Sequence, residues 1–142
     1  MSVEMTHKEI EDLMSSEKVG TLLLVDGDRP YGVVCWFVYD NGNIRIGIMP
    51  SGRKYECIKS NNNAAFSVWR AGKGGWRSVL VEGKIRQVTD IDELRESLEL
   101  AAEKYGVPSS YIDKQVAMVK ENPEKSMSFV IEAEDISGRK SG

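Results

Sequence analysis

Residues 31–54 read YGVVCWFVYDNGNIRIGIMPSGRK, and the alternation within this stretch sets the fold. From Tyr31 to Tyr39 the chain is uncharged and rich in β-branched and aromatic residues, the composition of a strand. Successive side chains of a strand point to opposite faces, so Tyr31, Val33, Cys35, Phe37 and Tyr39 share one face and Val34, Trp36 and Val38 the other. A barrel strand needs only its inner face apolar. Something else must therefore cover the outer face: a helix, a partner subunit or a ligand. Asp40-Asn41-Gly42-Asn43 tolerates positive φ and suits a tight hairpin. Ile44, Ile46 and Ile48 alternate along the returning strand, Pro50-Ser51-Gly52 breaks it, and a short helix runs from Arg53 to Ser60.

On either side of this stretch the pattern stays mainly β. Thr6 and Glu9 are spaced as a capping box, opening a helix over residues 7–16 with Ile10, Leu13 and Met14 on one face. Strands are expected over 18–25, 64–69, 76–88 and 126–133, with Asp26-Gly27-Asp28-Arg29-Pro30 the turn from the first of them into the Tyr31–Tyr39 strand. Thr89 is the expected cap of a helix over 90–105, stopped by Gly106 and Pro108, and a second helix follows over 109–120. Six strands joined mostly by short turns predict an antiparallel β-barrel, with an N-terminal helix, a short helix after strand 3 and a helical insertion before the last strand. Residues 136–142, rich in serine, glycine and basic groups, read as a mobile tail.

With 142 residues the chain is sized for a single domain over 1–142. No apolar run approaches the ~18–20 residues of a membrane span. The polar, acidic start does not read as a signal or transit peptide, and Cys35 and Cys57 are expected to be reduced thiols in a cytoplasm, behaving as small buried hydrophobes. A single histidine, His7, argues against a zinc site and against a Ser-His-Asp triad, and no metal is expected. The net charge of −3 is uneven: residues 44–78 carry seven basic groups and one acidic group, and the remainder is acidic. A basic segment this local suits a small anionic ligand better than a nucleic acid. From charge alone, a fluctuation on a solvated face reads equally well.

The basic segment contains the most specific candidate site. A strand ends, Ser51-Gly52 turns the chain, and a helix begins at Arg53-Lys54. The free N–H groups of a helix N-terminus attract phosphate. Ser51 adds a hydroxyl, Arg53 a planar fork and Lys54 a point charge. Basic residues there oppose the helix dipole, which calls for a compensating anion. Helical spacing sets Arg53 four before Cys57 and Lys54 four before Ile58, so both start on the inward side. Gly47 interrupts an isoleucine-rich strand, as glycine does at a bulge or where a ligand approaches the backbone. Trp36 and Trp76 are candidates to border a flat ring, although buried tryptophans more often belong to the core.

VVCWFVYDNGNIRIGIMPSGRK, NNNAAFSVW, WRSVLVEGKIRQV and FVIEAEDISGRK together resemble the pyridoxamine 5′-phosphate oxidase-related superfamily of FMN-binding split barrels, and within it the nitroimidazole-resistance branch. The resemblance implies a homodimer with FMN at the subunit interface. It implies that Arg53 and Lys54 hold the phosphate and that Val33, Cys35 and Trp36, with the backbone of Gly47 and Ile48, line the isoalloxazine. Trp76, Arg77 and Ser78 would approach from the partner subunit. The strand from Tyr31 to Tyr39 lacks the arginine and lysine of authentic pyridoxamine phosphate oxidases, and no histidine follows residue 88, so pyridoxal phosphate synthesis is not implied. Many nitroimidazole-resistance proteins have a histidine where this chain has Gly47. What the resemblance implies is an FMN-dependent oxidoreductase acting on a small molecule, with no side chain evident as a general acid or base. The alternatives are a non-enzymatic flavin or redox-sensing module, or a relative that binds a deazaflavin or haem in the same cleft.

Overall fold

The computed structural model describes residues 1–142. In chain order they form β1 (Ser2–Glu4), α1 (His7–Ser16), β2 (Val19–Asp26), β3 (Arg29–Trp36), β4 (Val38–Asp40), β5 (Asn43–Gly47), α2 (Arg53–Ser60), β6 (Asn63–Gly72), β7 (Gly75–Gln87), α3 (Ile91–Tyr105), α4 (Ser109–Glu121) and β8 (Ser128–Ser141). All pairings are antiparallel, in the order β3-β2-β6-β7-β8-β5-β4, with β1 on β8. The mainly β class with an inserted helical pair is as the sequence predicts. The strand count is eight rather than six.

One extra strand is β1, and the other comes from the division of a predicted strand. The run from Tyr31 to Tyr39 is two strands, because the chain changes partner at Phe37. Before it, Trp36 pairs with Val19 of β2; after it, Val38 pairs with Arg45 of β5. The sheet thus begins and ends on adjacent segments of chain and curls toward itself, with a split between β3 and β4. Phe37 is 1% exposed and packs on Phe66, ring centroids 4.9 Å apart. Burying such a ring is worth ~1.5–3 kcal/mol. Its backbone groups, out of the ladder, still need partners. The Phe37 N–H donates toward the Lys18 carbonyl (3.3 Å) and the Tyr105 hydroxyl (3.2 Å), and its carbonyl accepts from Lys104 Nζ (3.1 Å) and the Tyr105 hydroxyl. The helical insertion therefore seals the break.

The C-terminal residues are a correction. They are not a mobile tail: β8 continues to Ser141, pairing Arg77 with Lys140 on one side and Ser2 with Ser141 on the other. Gly138 is buried against Met5 and Ile10, and Lys140 bonds Glu9 of α1. A small, polar composition looks mobile, but strands on both edges satisfy its backbone. A second correction concerns α3, which is capped by Asp90, not Thr89: the Asp90 carboxylate accepts from the Glu93 N–H at 3.0 Å. The α1 capping box is present as predicted, with Thr6 and Glu9 bonded reciprocally at 2.9 and 3.2 Å.

Two apolar cores result. The larger fills the barrel, with Phe37, Phe66 and Phe129 at its centre. The smaller lies outside it, where Leu94, Leu98, Ile112, Val116 and Val119 of α3 and α4 cover Val88 and Val130. The outer face of the Tyr31–Tyr39 run is therefore treated in two ways. Val38 is buried at 8% exposure, whereas Val34 and Trp36 are 70% and 66% exposed. No helix is long and apolar enough to cross a membrane.

Candidate functional site

A cavity of about 430 Å³ opens at the split. One wall is the strand edge, with Cys35 and Trp36 from β3 and Gly47 and Ile48 after the switch. The other is the helical insertion, including Leu98, Ala101, Tyr105 and Gln115. Trp36 and Tyr105 are stacked, with centroids 5.2 Å apart and planes 10° from parallel. Gly47 pairs in register with Ser128, and a Cβ there would meet nothing nearer than the Met127 carbonyl at 3.8 Å. There is no bulge at Gly47; the register shift of the sheet lies at Glu82/Gly83. Nothing inside the chain demands a glycine at position 47, whose backbone is open at the cavity mouth.

Arg45 is a cavity residue that the sequence reading missed. Alternation between Ile44 and Ile46 points it outward, but the insertion covers it and leaves it 9% exposed. Its Nε donates to Asp40 at 3.1 Å, and its Nη1 to Ser97 at 2.7 Å and Glu93 at 3.4 Å. Glu93 also receives both terminal nitrogens of Arg86 at 2.8 Å, and Arg86 Nε reaches Glu132 at 2.8 Å. Arg86 first, and Arg45 after it, hold the Glu93 carboxyl below the usual carboxylate range. The Arg45 charge is thus fully answered within the wall.

The start of α2 is different. Gly52, at φ +89°, makes the turn that only glycine adopts freely, and no side chain caps the helix. Its first amides therefore face outward without a protein partner. Arg53 has an anion already: Nε and Nη2 donate to Asp26 at 3.0 and 2.8 Å, while the guanidinium lies 3.8 Å over the Tyr31 ring. Asp26 thus answers the electrostatic demand that the sequence placed on an external ligand. Contrary to the expected inward start, the Arg53 side chain is 57% exposed. Lys54 is half-buried and close enough to Cys35 to act on its thiol. Burial raises the Cys35 thiol to about 11 against the pull of Lys54, so it stays protonated at neutral pH.

Of the predicted site residues, Cys35, Trp36, Gly47 and Ile48 meet at the cavity. Ser51 and Gly52 are exposed in the turn before α2. Val33, half-buried against the barrel core on the same strand face as Cys35, does not line the cavity. Trp76, Arg77 and Ser78 do not border the cavity: the Trp76 N–H donates to the Ser141 hydroxyl at 3.1 Å, and Arg77 sits 3.7 Å from Glu9. His7 is exposed on α1 beside Glu11 at 3.4 Å, so no imidazole reaches the cavity. The sequence also missed Gln115. Its signal was present, for Gln115 falls in the apolar stripe of Ile112, Val116 and Val119.

The family model for pyridoxamine 5′-phosphate oxidase matches residues 6–140, and the chain belongs to this family. No curated protein sequence matches it significantly. Among solved structures it is similar to an FAD-binding protein from Mesorhizobium loti, with TM-score 0.76 and 23% identity over 100% of this chain and 98% of that one. It is similar to a candidate 5-nitroimidazole antibiotic resistance protein from Bacteroides thetaiotaomicron, with TM-score 0.81 and 19% identity over 98% and 87%. An FAD-binding protein from Mycobacterium smegmatis aligns with TM-score 0.72 and 18% identity over 97% and 98%. At such identities the likeness is one of fold.

Proposed function

We propose that the chain binds a flavin at the split and acts as a flavin-dependent oxidoreductase on a small molecule. The carrying observation is the junction of two features: an apolar, aromatic-walled cavity, and beside it a helix start with uncapped amides and an unpaired Lys54. The residues fit the group. Lys54, the first amides of α2 and Ser51 would hold a phosphate. Trp36, Cys35 and the open backbone at Gly47 would border the ring. Bound flavin supplies the electron transfer, and the protein supplies orientation, dryness and charge. The compact cationic cluster favours FMN with its terminal phosphate; the relatives named for FAD support the flavin class. Without an imidazole at the cavity the haem reading has less support.

The same reading extends to a homodimer in the cytoplasm. Val34, Trp36 and Trp69 are exposed on one chain, and a two-fold interface would cover such apolar surface on both copies. A partner is also the route by which Trp76, Arg77 and Ser78 would reach the flavin. The absorbance spectrum of purified protein tests the cofactor: flavin bands, with FMN identified by mass after denaturation, are expected. A colourless protein that takes up no flavin on titration overturns the reading. Sedimentation showing a monomer at micromolar concentration with flavin bound would remove the dimer alone.

A further inference from the structure

Gln115 raises a question that the flavin reading leaves open. It is 6% exposed, borders the cavity and makes no side-chain hydrogen bond within the protein. No wholly sealed side-chain nitrogen or oxygen lacks a partner, so the Gln115 amide opens on the cavity. A leucine would suit its neighbours Ile112, Val116 and Val119 better, because burying an unpartnered amide is costly. Ser128, 9% exposed and also on the cavity wall, has a hydroxyl with no partner of its own. These two polar groups stand on a wall that is otherwise mostly apolar, beside the stacked Trp36–Tyr105 pair.

We propose that the wall supplied by α3 and α4 is a subsite for an uncharged planar ring bearing a carboxamide or cyclic-amide edge, read by Gln115. A primary amide offers one acceptor oxygen and two donor hydrogens, so its complement is a ligand edge with both functions. The stacked aromatic pair suits a flat ring. Charge excludes an acid: the one cation of the wall, Arg45, already faces Asp40 and Glu93, and a carboxylate there would be buried without a counter-charge. As the substrate's place the subsite rests on the flavin reading; as a binding site it does not.

Calorimetric titration of the full chain with benzamide and with benzoate tests this, with flavin content read separately from absorbance. Benzamide is expected to bind at least tenfold more tightly than benzoate. Gln115→Leu is expected to weaken benzamide roughly thirtyfold, the loss of the two hydrogen bonds of the paired amide edges, to leave benzoate unchanged and to raise the melting temperature. Ala101→Phe, which fills the cavity, is expected to abolish binding of both. Equal binding of the two probes, no binding of benzamide, or an unaltered Gln115→Leu variant overturns the proposal. Flavin bound without amide selectivity sinks the subsite alone; amide selectivity in a protein that takes up no flavin sinks the flavin reading alone.

Discussion

Arg45 and Arg53 lie eight positions apart in the sequence, and each is held by an aspartate. Their surroundings make them opposites. Arg45 is 9% exposed under the helical insertion and shares two carboxylates and a hydroxyl. Arg53 is 57% exposed, with one carboxylate and one aromatic ring. An ion pair in water is worth ~0–1 kcal/mol, whereas breaking a buried one costs ~3–5 kcal/mol. Asp26 can therefore release Arg53 to a better anion, but nothing that enters the cavity can match what Arg45 already has. The same residue type is a wall in one place and a releasable hand in the other.

The comparison breaks most readily at the exposed end. Replacing Arg53 and Lys54 together by alanine removes two charge-assisted contacts of ~1.5–3 kcal/mol each, so FMN affinity should fall by roughly two to four orders of magnitude. Riboflavin, which lacks the phosphate, should bind as before, and the melting temperature should hardly move. Equal loss for the two ligands in a fluorescence titration would mean that the pair orders the site rather than gripping phosphate.

At the buried end, Arg45→Met should destabilise the fold by about 3 kcal/mol, the lower part of the range for a broken buried pair. The lower part applies because Asp40 and Glu93 keep 27% and 21% exposure. Denaturant unfolding would measure it, and a loss as small as that of a surface pair would contradict the contrast drawn between the two arginines.

Asp26→Asn sharpens the comparison from the other side. It removes the internal competitor for Arg53, so FMN affinity should rise several-fold while stability changes by no more than about 0.5 kcal/mol. Unchanged affinity would show that Arg53 stays with the Tyr31 ring whatever Asp26 does.

The smallest effect concerns a third ion pair, intermediate in exposure. The bond from Lys140, and after it the Thr6 N–H, hold the Glu9 carboxyl at about 2, below its ordinary 4.5. A lowered pKa contributes stability above the ordinary value and loses it as the carboxylate protonates. Hydrogen-exchange protection in α1 and the end of β8, measured against the intrinsic rate at each pH, should therefore fall as pH drops from about 4.5 toward 2, and Glu9→Gln should flatten that dependence.

Much of this was legible in the residues. The capping box of α1, the Asn41-Gly42 hairpin and the break at Pro50-Ser51-Gly52 are signals carried by a few adjacent positions. So is the turn into α2, with its basic pair. The cavity was legible only on its strand side: Cys35, Trp36, Gly47 and Ile48 fall within one hairpin stretch of the sequence, whereas Ser97, Tyr105 and Gln115 belong to helices whose docking no local pattern states.

The sequence by itself determined the mainly β class, the four helices and the presence of a cationic helix start, because caps, turns and alternation act within a few residues. The tertiary structure decided where the barrel splits. Phe37 has no glycine or proline to mark it; the change of partner is set by its ring entering the core and by Lys104 and Tyr105 meeting its backbone from α3. It also decided the fate of each charge, since whether Arg53 is held at the surface or Arg45 within the wall depends on Asp26 and Glu93, which lie 27 and 48 residues away. Burial and ion pairing are properties of what comes together in space, and a residue's own neighbours in the chain do not fix them.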